Sequence, residues 1–87
     1  MKIVRFTAMW CSSCLIMKKR WKKVLPDFDV ELIDFDYDED VIERDKYQVG
    51  NILPVLIVID ESNQEVARIV GEMKEKVLEE SLRKVIL

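Results

Sequence analysis

Cys11 and Cys14 are the only thiols in this chain, and they stand where an apolar run (Ile3, Val4, Phe6) gives way to a helical pattern. On a helix surface, positions i and i+3 are neighbours, with Cβ atoms about 5–6 Å apart. A disulfide accepts a Cα separation of about 4.4–6.8 Å, so this pair can close and reopen with little backbone movement. The amino end of a helix also carries partial positive charge and unpaired N–H groups, which stabilise a thiolate at Cys11. Trp10-Cys11-Ser12-Ser13-Cys14 therefore reads as a redox centre. One thiolate attacks a target disulfide, and the second releases the reduced product.

Two plainer readings compete. Free cysteines are often small buried hydrophobes, but an arbitrary pair would not also fall at a strand-to-helix junction after Trp10. A structural zinc site needs about four Cys or His ligands, and the chain has two cysteines and no histidine. No metal is expected. With no histidine, a proton leaving Cys14 must pass to water or a carboxylate.

The elements that position the pair follow from periodicity. Residues 2–8 alternate and read as a strand. From Ser12 to Leu25, Cys14, Met17, Trp21, Val24 and Leu25 keep helical spacing, and Pro26 stops the helix. Val30 to Phe35 reads as a second strand. Asp38 to Tyr47 reads as a shorter helix with Val41, Ile42 and Tyr47 inward, broken by Gly50-Asn51. Pro54 heads Val55-Leu56-Ile57-Val58-Ile59, a buried central strand. Asp60 to Asn63 is a turn, Glu65 to Val70 the returning strand, and Gly71 an interruption. Met73, Val77, Leu78, Leu82, Val85 and Ile86 mark the inner face of a closing helix. The predicted fold is α/β, ordered β-α-β-α-β-β-α, with a mixed four-stranded sheet and helices on both faces.

Composition sets the bounds. The 87 residues suit one small domain, 1–87, and 49% hydrophobic with 36% charged residues is ordinary for a globular chain. The net charge of −3 argues against a nucleic-acid binder. No apolar run approaches the ~18 residues of a membrane span, and no signal peptide is visible, so a cytoplasmic location is expected. There, a lone cysteine pair is catalytic more often than structural. Lys18, Lys19, Arg20, Lys22 and Lys23 form a basic block, and an acidic stretch runs from Asp27 to Asp45. Both read first as solvated faces.

The motif, Leu53-Pro54 before the third strand and Gly71 ahead of the last helix, in this order, resembles a minimal thioredoxin-fold protein over nearly the whole chain. The resemblance implies that Cys11 is the exposed nucleophile and Cys14 the resolving thiol. It makes Pro54 a cis-proline facing them, and Trp10, Leu53, Pro54 and Gly71 the frame of a substrate groove. Four departures stand out. Ser12-Ser13 replaces the usual Gly-Pro; Arg5 takes the place of the family's buried aspartate; its accompanying lysine falls near Leu32; and the amino-terminal strand and helix of full-length thioredoxins are missing. The glutaredoxin Cys-Pro-Tyr-Cys centre and Gly-Gly-Asp motif are also absent, so glutathione binding is not supported.

Ser12 and Ser13 either cap the helix or donate to the Cys11 sulfur. Arg5 either stabilises a thiolate or turns its head to solvent. The implied activity is that of a thiol-disulfide oxidoreductase acting as a protein-disulfide reductase. Its only redox group is the Cys11–Cys14 disulfide, with no separate cofactor. Its partners would be disulfide-containing proteins and, as electron donor, a reductase or low-molecular-weight thiol. Neither nucleic acid nor membrane is expected as a partner, and the chain is expected to be a monomer. Three alternatives remain open at this stage: an oxidase or isomerase, a redox-gated binding module with little turnover, and a metal-delivery domain.

Overall fold

The computed structural model describes residues 1–86. Its elements are β1 (Lys2–Thr7), α1 (Ser12–Val24), a 3-10 turn (Leu25–Asp27), β2 (Glu31–Asp36), α2 (Val41–Lys46), β3 (Val55–Ile59), β4 (Glu65–Val70) and α3 (Glu75–Ile86). The sheet runs β2-β1-β3-β4, with β1 parallel to β2 and the other two pairings antiparallel. The predicted mixed sheet and element order are therefore present. No helix is long and apolar enough to cross a membrane, among the described residues.

Strand alternation divides the core into two layers, because successive side chains point to opposite faces. Ile3, Leu56, Val58 and Ile69 meet Met17, Trp21 and Val24 of α1 and Leu78 and Leu82 of α3. Val4, Phe6, Val55, Ile57 and Ile59 form the other layer, with Cys11, Cys14 and Leu53. β3 is buried along its whole length, as its unbroken apolar run requires.

Several local expectations are corrected. α1 ends at Val24, and Pro26 sits inside the 3-10 turn that follows. α2 begins at Val41 rather than Asp38, because the Asp36 carboxylate accepts the N–H groups of Asp38 and Glu39 at 2.9 and 3.0 Å. That Asx turn uses amides a longer helix would have left free. Val41 and Ile42 are consequently exposed, at 41% and 78%. Tyr47 packs on the second core layer as expected, and Val49 joins it there. The left-handed residue after this helix is Gln48, at φ 52°, not Gly50. In α3, Val77 faces solvent while Leu78 and Leu82 are fully buried.

Candidate active site

β1 ends at Thr7, and a tight turn closed by Cys11 N–H donating to the Ala8 carbonyl at 3.2 Å carries the chain into α1. Cys11 is the cap residue, in extended conformation at φ −94° and ψ 108°. Its Sγ accepts the Cys14 N–H at 3.1 Å. The cysteine thus fills the place usually taken by Ser, Thr, Asp or Asn, and helix amides answer electron density on its sulfur. Ser12 and Ser13 lie one and two residues past the cap. Neither hydroxyl makes a hydrogen bond among the described residues, so the capping expected of them belongs to Cys11.

The pair is asymmetric. Cys14 is 1% exposed and Cys11 7%. The expectation that Cys11 stands exposed is corrected: it packs in the core layer with Ala8 and Leu53, and reaches the surface only at a depression of about 340 Å³. Burial, reinforced by the hydrogen bond with Cys11, pushes the Cys14 thiol up to about 11. The Ala8 backbone and Lys18 act in the opposite direction.

Trp10, Cys11, Ser12, Ser13, Ile52 and Leu53 line that depression, with Asn51 beside them. The Leu53–Pro54 peptide bond is cis. Pro54 is fully buried and Gly71 stands behind it, its N–H donating to the Pro54 carbonyl at 2.8 Å. Of the four expected groove residues, Trp10 and Leu53 line the depression, and Pro54 and Gly71 do not. Gly71 has φ 83°, a conformation open to glycine at little cost.

Trp10 is 62% exposed, yet its ring is held. The indole Nε1–H donates to Asp38 Oδ2 at 2.7 Å, and the Tyr37 ring meets it edge-on at 6.2 Å. Tyr37 is delivered there because its N–H donates to the Thr7 carbonyl at 2.8 Å, extending the β1–β2 pairing. The Arg44 guanidinium covers the other ring, 4.7 Å from the Tyr37 centroid. Met9 and Ile52, 95% and 61% exposed, extend the apolar surface beside the thiols.

Arg5 does not join the cysteines. It pairs in register with Asp34 and donates to that carboxylate twice, at 2.6 and 2.8 Å. Its guanidinium also lies 5.1 Å over the Trp21 ring. The position facing Arg5 on β2 is thus Asp34. The cation that acts on Cys14 is Lys18, one helical turn along α1. Sequence reasoning missed Lys18, although its i+4 spacing from Cys14 was the available signal. For Tyr37, Asp38 and Ile52 there was none, since each arrives from a distant segment.

A four-stranded mixed sheet with a Cys-x-x-Cys pair at a helix start, backed by a cis-proline loop, defines a thiol-disulfide oxidoreductase fold. The family model Thioredoxin matches residues 1–84, and the chain belongs to the thioredoxin family. Among solved structures, it is similar to thioredoxin from Trypanosoma brucei brucei, at 26% identity and TM-score 0.83, covering 98% of this chain and 74% of that one. The reduced Schistosoma mansoni thioredoxin pre-protein aligns at 25% identity and TM-score 0.83, over 97% and 77% of the two chains. Thioredoxin 1 from Thermosipho africanus, at 21% identity, shares the fold with TM-score 0.82 over 97% and 92%. Comparison with curated protein sequences finds no match.

Proposed function

We propose that this protein reduces disulfides of protein substrates, with Cys11 as nucleophile and Cys14 as resolving thiol. The observation that carries the reading is the Cys11 sulfur at the cap of α1, accepting the Cys14 N–H at 3.1 Å. A Cys11 thiolate attacks one sulfur of the target disulfide; the target S–S bond breaks and one target thiolate leaves, taking a proton from solvent. Cys14 then gives up its proton to water or a carboxylate and attacks Cys11 Sγ. The Cys11–Cys14 disulfide forms and the second target thiolate departs. The target gains two electrons and the dithiol loses two. A reductase or a low-molecular-weight thiol restores the pair.

The order of events follows from the asymmetry. Cys11 itself contributes to holding the Cys14 thiol protonated, through its hydrogen bond and its charge. Once Cys11 is in the mixed disulfide, its charge is gone, and Lys18 still favours the Cys14 thiolate. Formation of the mixed disulfide thus removes one lesser restraint on Cys14 ionisation, while burial, the largest, remains. Exposed Met9, Trp10 and Ile52 suit an extended apolar segment of a folded or unfolding substrate. We place the protein in the cytoplasm as a monomer, with no metal or organic cofactor.

The test is turnover combined with potential. Catalytic reduction of insulin disulfides with dithiothreitol as donor is expected, together with a Cys11–Cys14 potential near the about −270 mV of a reductase. A potential near about −120 mV would make the protein an oxidant and overturn the assigned direction. Stoichiometric binding without turnover would make it a redox-gated binding module.

A further inference from the structure

A second cavity, of about 390 Å³, lies between α1 and the edge strand β2 and shares no residue with the depression at Cys11. Trp21, Leu25, Phe28 and Leu32 give it an apolar wall. Lys18 and Lys22 also line it, four residues apart and so on one face of α1. Arg5 reaches it too, but Asp34 already answers that charge at 2.6 and 2.8 Å. Among the described residues, neither lysine has an ion-pair partner. A neighbouring cavity of about 370 Å³ shares Arg5, Lys18 and Trp21, so the groove continues along the strands.

Trp21 lines both cavities. The residue is 2% exposed, and its indole Nε1–H is buried with no acceptor among the described residues. That N–H is sealed even from water, so nothing held in the cavity reaches it. The cavity therefore combines apolar surface with two unmatched cations. An inorganic anion would leave the apolar wall wet, and a neutral apolar ligand would leave both lysines unanswered.

We propose that this cavity binds an amphipathic monocarboxylate, such as a medium-chain fatty acid. The tail lies against Leu25, Phe28 and Leu32, and the carboxylate sits between Lys18 and Lys22. Neither thiol takes part in the binding. The site still adjoins the redox pair through Lys18, which also acts on Cys14.

The probe is octanoate below its micelle concentration, added to the reduced, nitrogen-15-labelled full chain. The chain has two tryptophans, so two indole resonances report separately. Octanoate is expected to shift the Trp21 resonance saturably and leave Trp10, held by Asp38, in place. Lys18→Met and Lys22→Met should each weaken binding by up to about fivefold, the range of a partly exposed ion pair. Leu32→Glu puts a carboxylate into the wall at a position 43% exposed, which the fold tolerates, and should abolish binding. Equal binding of octanol or octylammonium, or unchanged affinity in both lysine variants, would overturn the carboxylate assignment. Absence of a saturable Trp21 shift would overturn the site itself.

Discussion

Replacing Cys11 by serine and by alanine separates the chemistry of its thiol from its structural work. Both variants lose the redox pair, so both should fail to reduce insulin. They differ in what they leave at the cap of α1, where Sγ now accepts the Cys14 N–H at 3.1 Å. Serine keeps an oxygen acceptor and nearly the same side-chain volume; alanine keeps neither. Loss of such a cap costs about 0.5–2 kcal/mol. Cys11 is only 7% exposed, so water cannot freely replace the lost acceptor, and the upper half of that range applies, about 1–2 kcal/mol. For a domain of this size each kcal/mol moves Tm by about 4–8 °C, which puts Cys11→Ala about 5–15 °C below Cys11→Ser. Thermal and urea denaturation of the reduced variants measures the difference, and hydrogen exchange locates it. The Cys14 amide should stay protected with serine and exchange faster with alanine. Equal melting with equal protection at Cys14 would refute the cap as the source of the stability.

Three further outcomes follow from the same geometry. Asp38→Ala frees the Trp10 indole from a charge-assisted but exposed bond worth up to about 1 kcal/mol; insulin reduction should lose about two- to fivefold in kcat/KM, mostly through KM. Unchanged kinetics would mean that Tyr37 alone orients the ring. Gly71→Ala forces a β-carbon onto a backbone at φ 83°, while the nearest atom, Ile52 Cγ2 at 3.5 Å, is an ordinary contact. The cost is backbone strain alone, about 1–2 kcal/mol in urea denaturation, and full stability would contradict the left-handed assignment. The third concerns pH. Burial pushes the Cys14 thiol up to about 11, whereas an unfolded thiol ionises near about 8.5. Across that window the unfolded chain sheds a proton that the folded chain keeps, so stability should fall as pH rises. Urea midpoints of reduced wild type should therefore drop more steeply than those of Cys14→Ser from pH 8.5 upward, and parallel curves would sink the argument.

The elements most legible in the sequence are those whose local and long-range signals agree. Val55–Ile59 is continuous, β-branched and headed by Pro54, and the structure buries every residue of it. Glu65–Val70 follows a turn in which Asp60 Oδ1 accepts two amides, a pattern its residue type advertises. The α2 region was misread because two local signals conflict. Asp38-Glu39-Asp40 looks like the acidic first turn of a helix, but Asp36 captures the amides that such a helix would need to leave open. Of the three residues expected inward only Tyr47 packs on the core, Val49 joins it, and only the tertiary arrangement decides which side chains are buried.

At the site, residue types and spacing located both thiols, yet put the helix cap on the serines and left Arg5 open between a thiolate and solvent. Serine is the stronger cap by propensity, but capping depends on position: the residue in extended conformation before the first turn is Cys11, and Ser12 and Ser13 are already helical. Arg5 stands six residues before Cys11 in the family's aspartate position, where either reading is open. The register of β1 against β2 sets Asp34 directly opposite, however, and a bidentate pair stacked over Trp21 absorbs the charge. A charge so neutralised has little field left for a thiol elsewhere. Lys18, without an ion-pair partner among the described residues and one turn from Cys14, keeps its field. The Cys14 thiol is therefore governed first by its burial and by its bond with Cys11 at the start of α1, with Lys18 a smaller opposing influence from the next turn and the Arg5 charge spent on Asp34.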